Sequence, residues 1–599
     1  MGANEKQPGG GRAANLSNIE KIKAESPYST DARQKSPKEN RPFFANYAIA
    51  TKFGKPGLYF HGLRPSKSGD PEPFDAWVCG PIEALAASCD ERGDNHGLLL
   101  RFKPARGPWR QWAVPMAMLK GSGEELRGEL LSMGLRLNPN AHKRLNEWLA
   151  QAEPERHVIA ATRVGWHDLE GSRAFVLPRK TIMPGNLGEK ITFQAEHATD
   201  EYTAAGTLEN WRQEIGILCR GNPMPVLAVS AALAGPLLHL AHRETAGIHF
   251  VGDSSCGKTT CLEAAASVWG GPDFKRTWRA TGNGLEGIAA ALSDTALILD
   301  EIGEADGREI GSMIYSLGNG VGKTRATRTG TAKQPQRWRL AILSSGERTL
   351  EAQMIEAEKR PNTGQAARLL NVPVQRQHGV FDTLHHLPDG RALSDHLKEA
   401  VRRCYGTLGP AFVERLVHEE RDLAGEVACL AGQFDSTNPF QGRAASTLAL
   451  IALAGELATE YGLTGWQKGD ALEAAILAFD TWKKGQGGTQ TEHQKILANV
   501  RGFLEKHGDS RFSYIEATHP VNNRTGWWRD DVNGRVYFFN REGLKEALGG
   551  FDTRRGLDAL DAAGWIVERD GSARSTKLRI RGQRPRLYAI RPADEESLS

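Results

Sequence analysis

Apolar positions in the middle of the chain fall into short continuous runs, and on either side they recur with helical or alternating spacing. Ile248–Val251, Ala296–Leu299 and Trp338–Leu343 have the length and density of strands buried on both faces of a parallel sheet. Thr260–Ala266 reads as the start of a helix directly after the first of them. Val226–Leu240 is an apolar helix, too short to span a bilayer and expected to break at Gly235–Pro236. Upstream, Gly97–Phe102 and Gln111–Val114 read as strands, and Glu124–Met133 and Ala141–Ala150 as helices. Downstream, Leu393–Lys484 is largely helical, with Ala444–Tyr461 and Ala471–Trp482 spaced near 3.6. The last stretch reads as helix Glu492–Lys506, strand Phe512–Ile515, strand Arg535–Phe539, helices Arg541–Leu548 and Thr553–Ala563, strand Trp565–Val567, and a hairpin of Lys577–Arg581 with Arg586–Ile590. That order is the order of a winged helix.

These patterns divide the chain into a polar tail over 1–40 and an N-terminal α+β domain over 41–200. An α/β core with a parallel sheet flanked by helices follows over 201–390, then a helical lid or bundle over 391–490 ending in a Gly-rich linker. A winged-helix-like domain occupies 491–592 and a short tail 593–599.

Candidate chemistry concentrates in the core. Gly252-Asp253-Ser254-Ser255-Cys256-Gly257-Lys258-Thr259 fits G-x-x-x-x-G-K-[ST] between a predicted strand and a predicted helix. Backbone N–H groups of this loop and of Thr260 would cradle phosphates at a helix N-terminus, where the helix dipole favours anions. Lys258 would reach the β- and γ-phosphates, and Thr259 would ligate Mg²⁺. Asp300 and Glu301 close the run Ala296–Leu299, at the strand end where parallel sheets bind ligands. Asp300 would hold the metal and Glu301 would polarise the attacking water. Ser344 and Ser345 end the next strand, and either would orient that water against the γ-phosphate; Ser344 is the first choice.

Between the second and third strands, Asn319–Arg337 carries Lys323, Arg325, Arg328, Lys333 and Arg337, no acid, and Gly-Thr turn chemistry at its centre. This predicts a β-hairpin whose cations face a nucleic-acid backbone, or alternatively the nucleotide. Arg368, or after it Arg360, would face the nucleotide of a neighbouring subunit. Arg106, Trp109, Arg110 and Trp112 offer a second cation–aromatic face, with half-buried core as the other reading of the tryptophans. The C-terminal hairpin, with Arg574 and Arg584, would act as a phosphate-contacting wing or as a protein-docking surface.

The stretch from Gly221 to about Arg415 resembles the domain of unknown function 927 family, helicase-like ATPases of phages, plasmids and integrative elements that include the helicases of cassette chromosomes. The resemblance is carried by Gly221-Asn222, His249–Gly252 running into the phosphate loop, Val268-Trp269-Gly270, Trp278, Asn283-Gly284, Leu299–Ile302, Gly318–Gly320 with Gly322-Lys323, and Ser344-Ser345-Gly346-Glu347. Val164–His167 and Ala174–Pro178 extend it upstream. Ser345 stands where the family's run has threonine. The resemblance implies an AAA+ core similar to minichromosome-maintenance and superfamily three helicases, with ATP and Mg²⁺ as cofactors. It further implies a homo-oligomeric ring, usually a hexamer, on single-stranded or forked DNA, acting in replication of a mobile element beside a separate primase or polymerase. A loader or remodeller that hydrolyses ATP without unwinding, or the helicase subunit of a primase–helicase assembly, is the alternative.

Charge narrows the picture. Across 599 residues, Lys+Arg 76 against Asp+Glu 72 leaves +4, so nucleic-acid contact must come from local patches. The seven cysteines show no CxxC pair and no metal-like spacing with histidine, which predicts a reducing, cytoplasmic setting without disulfides or zinc. No signal peptide, myristoylation signal or membrane partner is expected.

Overall fold

The computed structural model describes residues 41–592 except 51, 67–68, 170–171, 186–190, 195–200, 327–331, 334, 357–367, 486–491, 518, 520 and 581. It divides into two compact units, one built mainly from Met1–Tyr202 and one from most of Thr203–Ser599.

In the first unit a five-stranded mixed sheet runs in the order Ile191–Phe193, His157–Ala161, Ile82–Cys89, Gly97–Phe102, Arg110–Pro115. Two three-stranded antiparallel sheets, from Phe43–Cys79 and from Gly165–Ile182, complete its strands among the described residues. Helix Glu124–Ser132 presents Leu126 and Leu130 on one face, and helix His142–Ala150 does the same with Leu145 and Leu149. These four leucines close over Leu100, Phe102 and Trp112 in one core cluster. The expected cation–aromatic face therefore splits. Trp112 is 5% exposed and belongs to the core, whereas Trp109 is 41% exposed with the Arg101 guanidinium 5.2 Å from its ring centre.

The second unit is organised by an all-parallel five-stranded sheet ordered Arg276–Thr277, Thr295–Asp300, Leu340–Gly346, Ala246–Val251, Leu369–Pro373. Helix Pro223–Leu240 packs on the sheet and runs unbroken through Pro236, against expectation. The reason is a long-range substitute. Proline supplies no N–H to the carbonyl of Ala232, four residues back, and the indole N–H of Trp269 donates to that carbonyl at 2.8 Å. Gly235 lies so close to the backbone of Thr295 that a Cβ would collide with it. Helices Pro439–Glu460 and Asp470–Gly485 pack on this buried helix, and Asp470–Gly485 also lies against Leu369–Pro373.

The C-terminal stretch forms helices Glu492–His507, Arg541–Ala547 and Thr553–Ala562 with a sheet ordered Phe512–Tyr514, Gly526–Asp531, Gly534–Phe539, Arg586–Ile590, Ile566–Glu568. Strand Gly526–Asp531 was not expected. It turns back through Val532-Asn533 into Gly534, whose φ of 105° suits glycine. The proposed wing loses one cation, because Arg574 is held by Asp558 at 2.5 Å and Asp561 at 2.9 Å.

Candidate nucleotide site

The phosphate loop hangs between strand Ala246–Val251 and helix Lys258–Ala266, at the carboxyl edge of the sheet. Ser255 and Gly257 take positive φ, 63° and 105°, which curls successive N–H groups inward as an anion nest. Lys258 is 7% exposed and its ammonium donates to the carbonyls of Gly252 and Asp253, both at 2.7 Å. Thr259 donates to Asp300 Oδ1 at 3.5 Å, which joins the loop to the acidic strand end. Thr260 does not contribute a side chain to the loop. It is 2% exposed and its hydroxyl pairs with that of Ser394 at 2.5 Å.

The acidic strand does not adjoin the phosphate-loop strand, since Leu340–Gly346 lies between them. The register puts Ser345 beside Phe250, and Ser344 beside both His249 and Leu299. Alternation along a strand then sends Ser344 and Ser345 to opposite faces. Ser345 donates to Asp300 Oδ1 at 2.5 Å and accepts from the Glu301 N–H at 3.3 Å. Ser344 is fully buried, accepting from the Trp278 indole at 2.8 Å and bonding His249 Nδ1 at 2.9 Å. Of the two serines, Ser345 and not the first choice, Ser344, lies on the face that meets Asp300.

Glu301 follows the acidic strand with φ of 54°, a left-handed conformation that is uncommon outside glycine and clusters at functional sites. Its carboxylate accepts from the Gly303 N–H at 3.3 Å. Burial raises the Asp300 pKa, but hydrogen bonds from Ser345, Lys275 and Thr259 and the Lys275 charge outweigh it, leaving Asp300 below the usual carboxylate range and ionised at neutral pH. A hydroxyl and an ionised carboxylate in contact suit Mg²⁺, which takes few protein ligands and completes its shell with water and substrate phosphates.

Lys275 carried no sequence signal. Its ammonium lies 2.9 Å from Asp300 Oδ2 and 3.4 Å from Glu263 Oε1, and its side chain is 19% exposed. A cation on that carboxylate opposes a second cation there. Lys275→Met is expected to tighten Mn²⁺ binding roughly tenfold in a spectroscopic titration, about 1.4 kcal/mol. Weaker binding would instead make Lys275 a brace for Asp300.

On the other face, Trp278 donates to Ser344, Ser344 to His249 Nδ1, and His249 Nε2–H to the Arg348 carbonyl at 3.0 Å. This tautomer satisfies every member. Burial holds the His249 pKa down at about 4 from 6.5. The depressed value means that the unfolded chain takes up a proton first as pH falls. The associated stability is therefore complete above pH 6.5 and is lost on descent towards pH 4, by about 3 kcal/mol. Chemical denaturation across that window should show a shallower pH slope for His249→Asn than for the wild type.

The basic segment does form a hairpin, with Arg325 opposite Lys333 and Ala326 opposite Ala332. Its base is fixed by Glu286, a buried acid that accepts from the Lys323 N–H at 3.2 Å and from Ser316 at 2.9 Å. Lys323 and Arg337 are exposed, and Arg328 lies outside the described residues. Arg368 sits away from the phosphate loop, at the opening edge of the sheet. Its carbonyl accepts from Gly247 N–H at 3.0 Å, and its guanidinium lies 4.9 Å from the Tyr315 ring centre. Arg360 lies outside the described residues.

No group of three or more His, Cys, Asp or Glu residues suited to a metal ion occurs among the described residues. Among the described residues one helix, Pro223–Leu240, has the length and apolarity to cross a membrane, longer than the sequence pattern suggested, and 83% of it is buried in the protein.

No curated protein sequence matches the chain. Among solved structures, it is similar to one described as "SCCmec type IV Cch - active helicase", with a TM-score of 0.67 at 18% identity over 92% of this chain and 97% of that one. That likeness is one of fold. Another, "The A form apo structure of NrS-1 C terminal region-CTR", covers 85% and 97% at 10% identity, with a TM-score of 0.30, too low to establish a shared fold. A family model for "Domain of unknown function (DUF927)" matches residues 49–337, beginning earlier than the resemblance placed it and ending at the base of the basic hairpin. That segment, which holds the phosphate loop and both acids, matches the DUF927 family model.

Proposed function

We propose that the chain is a ring-forming, ATP- and Mg²⁺-dependent DNA helicase serving replication of a mobile element. The observation that carries this reading is the meeting of Thr259 with Asp300 beside a left-handed Glu301, at the sheet edge that also bears the phosphate loop. The strand order, with the serine strand between the phosphate-loop and acidic strands, supports an AAA+ core. The fold shared with a cassette helicase supports the motor class.

The residues divide the work. Loop N–H groups and Lys258 bind the β- and γ-phosphates, and Thr259 and Asp300 hold Mg²⁺, which when bound neutralises charge on the phosphate oxygens. Glu301 takes a proton from the attacking water, and Ser345 holds Glu301 and Asp300 in register. Arg368 acts on the nucleotide of a neighbouring subunit. The hairpin cations Lys323, Arg325, Arg328, Lys333 and Arg337 grip the phosphate backbone of single-stranded DNA as nucleotide states alternate.

Strand displacement on a forked duplex tests the reading. Unwinding with ATP, and none with a non-hydrolysable analogue, is expected. Hydrolysis stimulated by single-stranded DNA without displacement would make the chain a loader.

A further inference from the structure

The last hairpin of the chain sorts its side chains by face. Strand Thr576–Lys577 pairs antiparallel with Arg586–Ile590, Thr576 opposite Leu587 and Lys577 opposite Arg586. The register continues outward to Ile580 opposite Gln583, which exchange N–H···O bonds of 2.9 and 3.0 Å and close the tip. Side chains alternate across such a ribbon. Leu578, Ile580 and Leu587 face inward, in one cluster with Val536, Phe538 and Trp527. Lys577, Arg579, Arg584 and Arg586 stand on the other face, all exposed.

On that face the cations oppose one another. Lys577 lies across from Arg586, and the same register sets Arg579 across from Arg584. Like charges directly opposite in a hairpin destabilise it. Relief from within the protein is slight. The exposed Asp570 lies 3.7 Å from Lys577, and the three arginines have no ion-pair partner among the described residues. Two repelling pairs on an exposed ribbon make a surface that an external polyanion completes, and guanidinium forks match phosphate oxygens.

The surroundings select the polyanion. The four outward positions hold no aromatic ring, so the face lacks the stacking platform by which proteins take single strands. Helix Thr553–Ala562 follows Arg541–Ala547 as the second helix of a helix-turn-helix pair, the one that lies in the groove of a duplex. Its acids Asp558 and Asp561 would repel phosphates there. Arg574, two residues before the hairpin, holds both, at 2.5 and 2.9 Å, and Arg569 also binds Asp561. The helix acids are thereby neutralised while the hairpin keeps its charge. Asp530 and Asp531 are confined to the turn at the far end of the sheet.

We propose that this hairpin binds the phosphate backbone of duplex DNA through Arg579, Arg584 and Arg586, without reading its sequence. The site is separate from the basic hairpin of the core and needs no nucleotide, so it goes beyond the function proposed above.

The test is fluorescence anisotropy of the full-length protein with a short blunt-ended duplex, without ATP. Arg579→Ala/Arg584→Ala/Arg586→Ala should weaken duplex binding roughly 10- to 100-fold at low salt. It should also flatten the slope of log affinity against log salt by about 2.7, three phosphate contacts at about 0.9 each. Binding of an oligo-dT single strand should be unchanged, and changing the duplex sequence should leave the wild-type affinity as it was. Arg579→Lys/Arg584→Lys/Arg586→Lys keeps the charges. It should retain most of the affinity and the wild-type slope, which separates lost charge from lost fold. An unchanged slope in the alanine variant, or a lysine variant as weak as the alanine one, overturns the proposal. An equal loss on the single strand would make the hairpin a single-strand contact and overturn the duplex. A wild type that ignores the duplex would assign the face to an acidic protein partner and overturn it as well. No arm uses ATP, so failure of the hydrolase reading leaves this proposal standing, and its own failure leaves that reading standing.

Discussion

Arg368→Ala is expected to lower ATP turnover roughly 10³–10⁵-fold, the range over which an arginine supplied to a transferring phosphoryl group acts. Binding of nucleotide by each subunit should be unaffected, because Arg368 opens strand Leu369–Pro373 at the sheet edge remote from its own phosphate loop. Its contact with Tyr315 costs little to lose, since one exposed cation–π pair is worth about 0.5–1 kcal/mol. Unfolding midpoints should therefore move slightly while turnover collapses. Steady-state hydrolysis, beside equilibrium nucleotide binding on the same preparations, separates the two quantities. A variant that keeps wild-type turnover would transfer the role to Arg360.

Glu301→Gln is expected to keep ATP bound while slowing hydrolysis roughly 10²–10⁴-fold, the usual contribution of a general base. Glutamine preserves the acceptor that meets the Gly303 N–H, and the Glu301 N–H to Ser345 does not depend on the side chain. Geometry should thus survive the loss of the charge. The left-handed backbone at this position supports the assignment, since nothing in a plain strand exit requires a glutamate at φ of 54°. Single-turnover hydrolysis with bound ATP quantified by filtration measures both parts. Wild-type hydrolysis would move the base to another acid at this edge, and Glu347, exposed just past the serine strand, is the nearest in sequence to that strand's end.

The phosphate loop was legible because its determinants are contiguous: an apolar run, two glycines and a helix start within a few residues. The hairpin was legible for the same reason, from a Gly-Thr turn between cation-bearing arms that pair as Arg325 with Lys333. Features fixed by distant partners were not. Whether Ser344 or Ser345 faces Asp300 depends on the register of two neighbouring strands, which no local pattern encodes. The helix through Pro236 survives because Trp269, far along the chain, satisfies the freed Ala232 carbonyl. Lys275 looks like any surface lysine until the fold sets it on Asp300. Strand Gly526–Asp531 escaped notice because Gly-Trp-Trp-Arg-Asp-Asp lacks alternation, and its tryptophans find their places only against Gly534–Phe539.

The central claim is that a nucleoside triphosphate is held by residues 252–259 and hydrolysed with Asp300 and Glu301. The most direct measurement is a structure of the full-length protein with Mg²⁺ and a non-hydrolysable ATP analogue. The account predicts the triphosphate in the loop, Lys258 turned from the Gly252 and Asp253 carbonyls onto it, and the metal on Thr259 and Asp300. Phosphates bound elsewhere, with Lys258 still closed on its own loop and Lys275 still on Asp300, would contradict it.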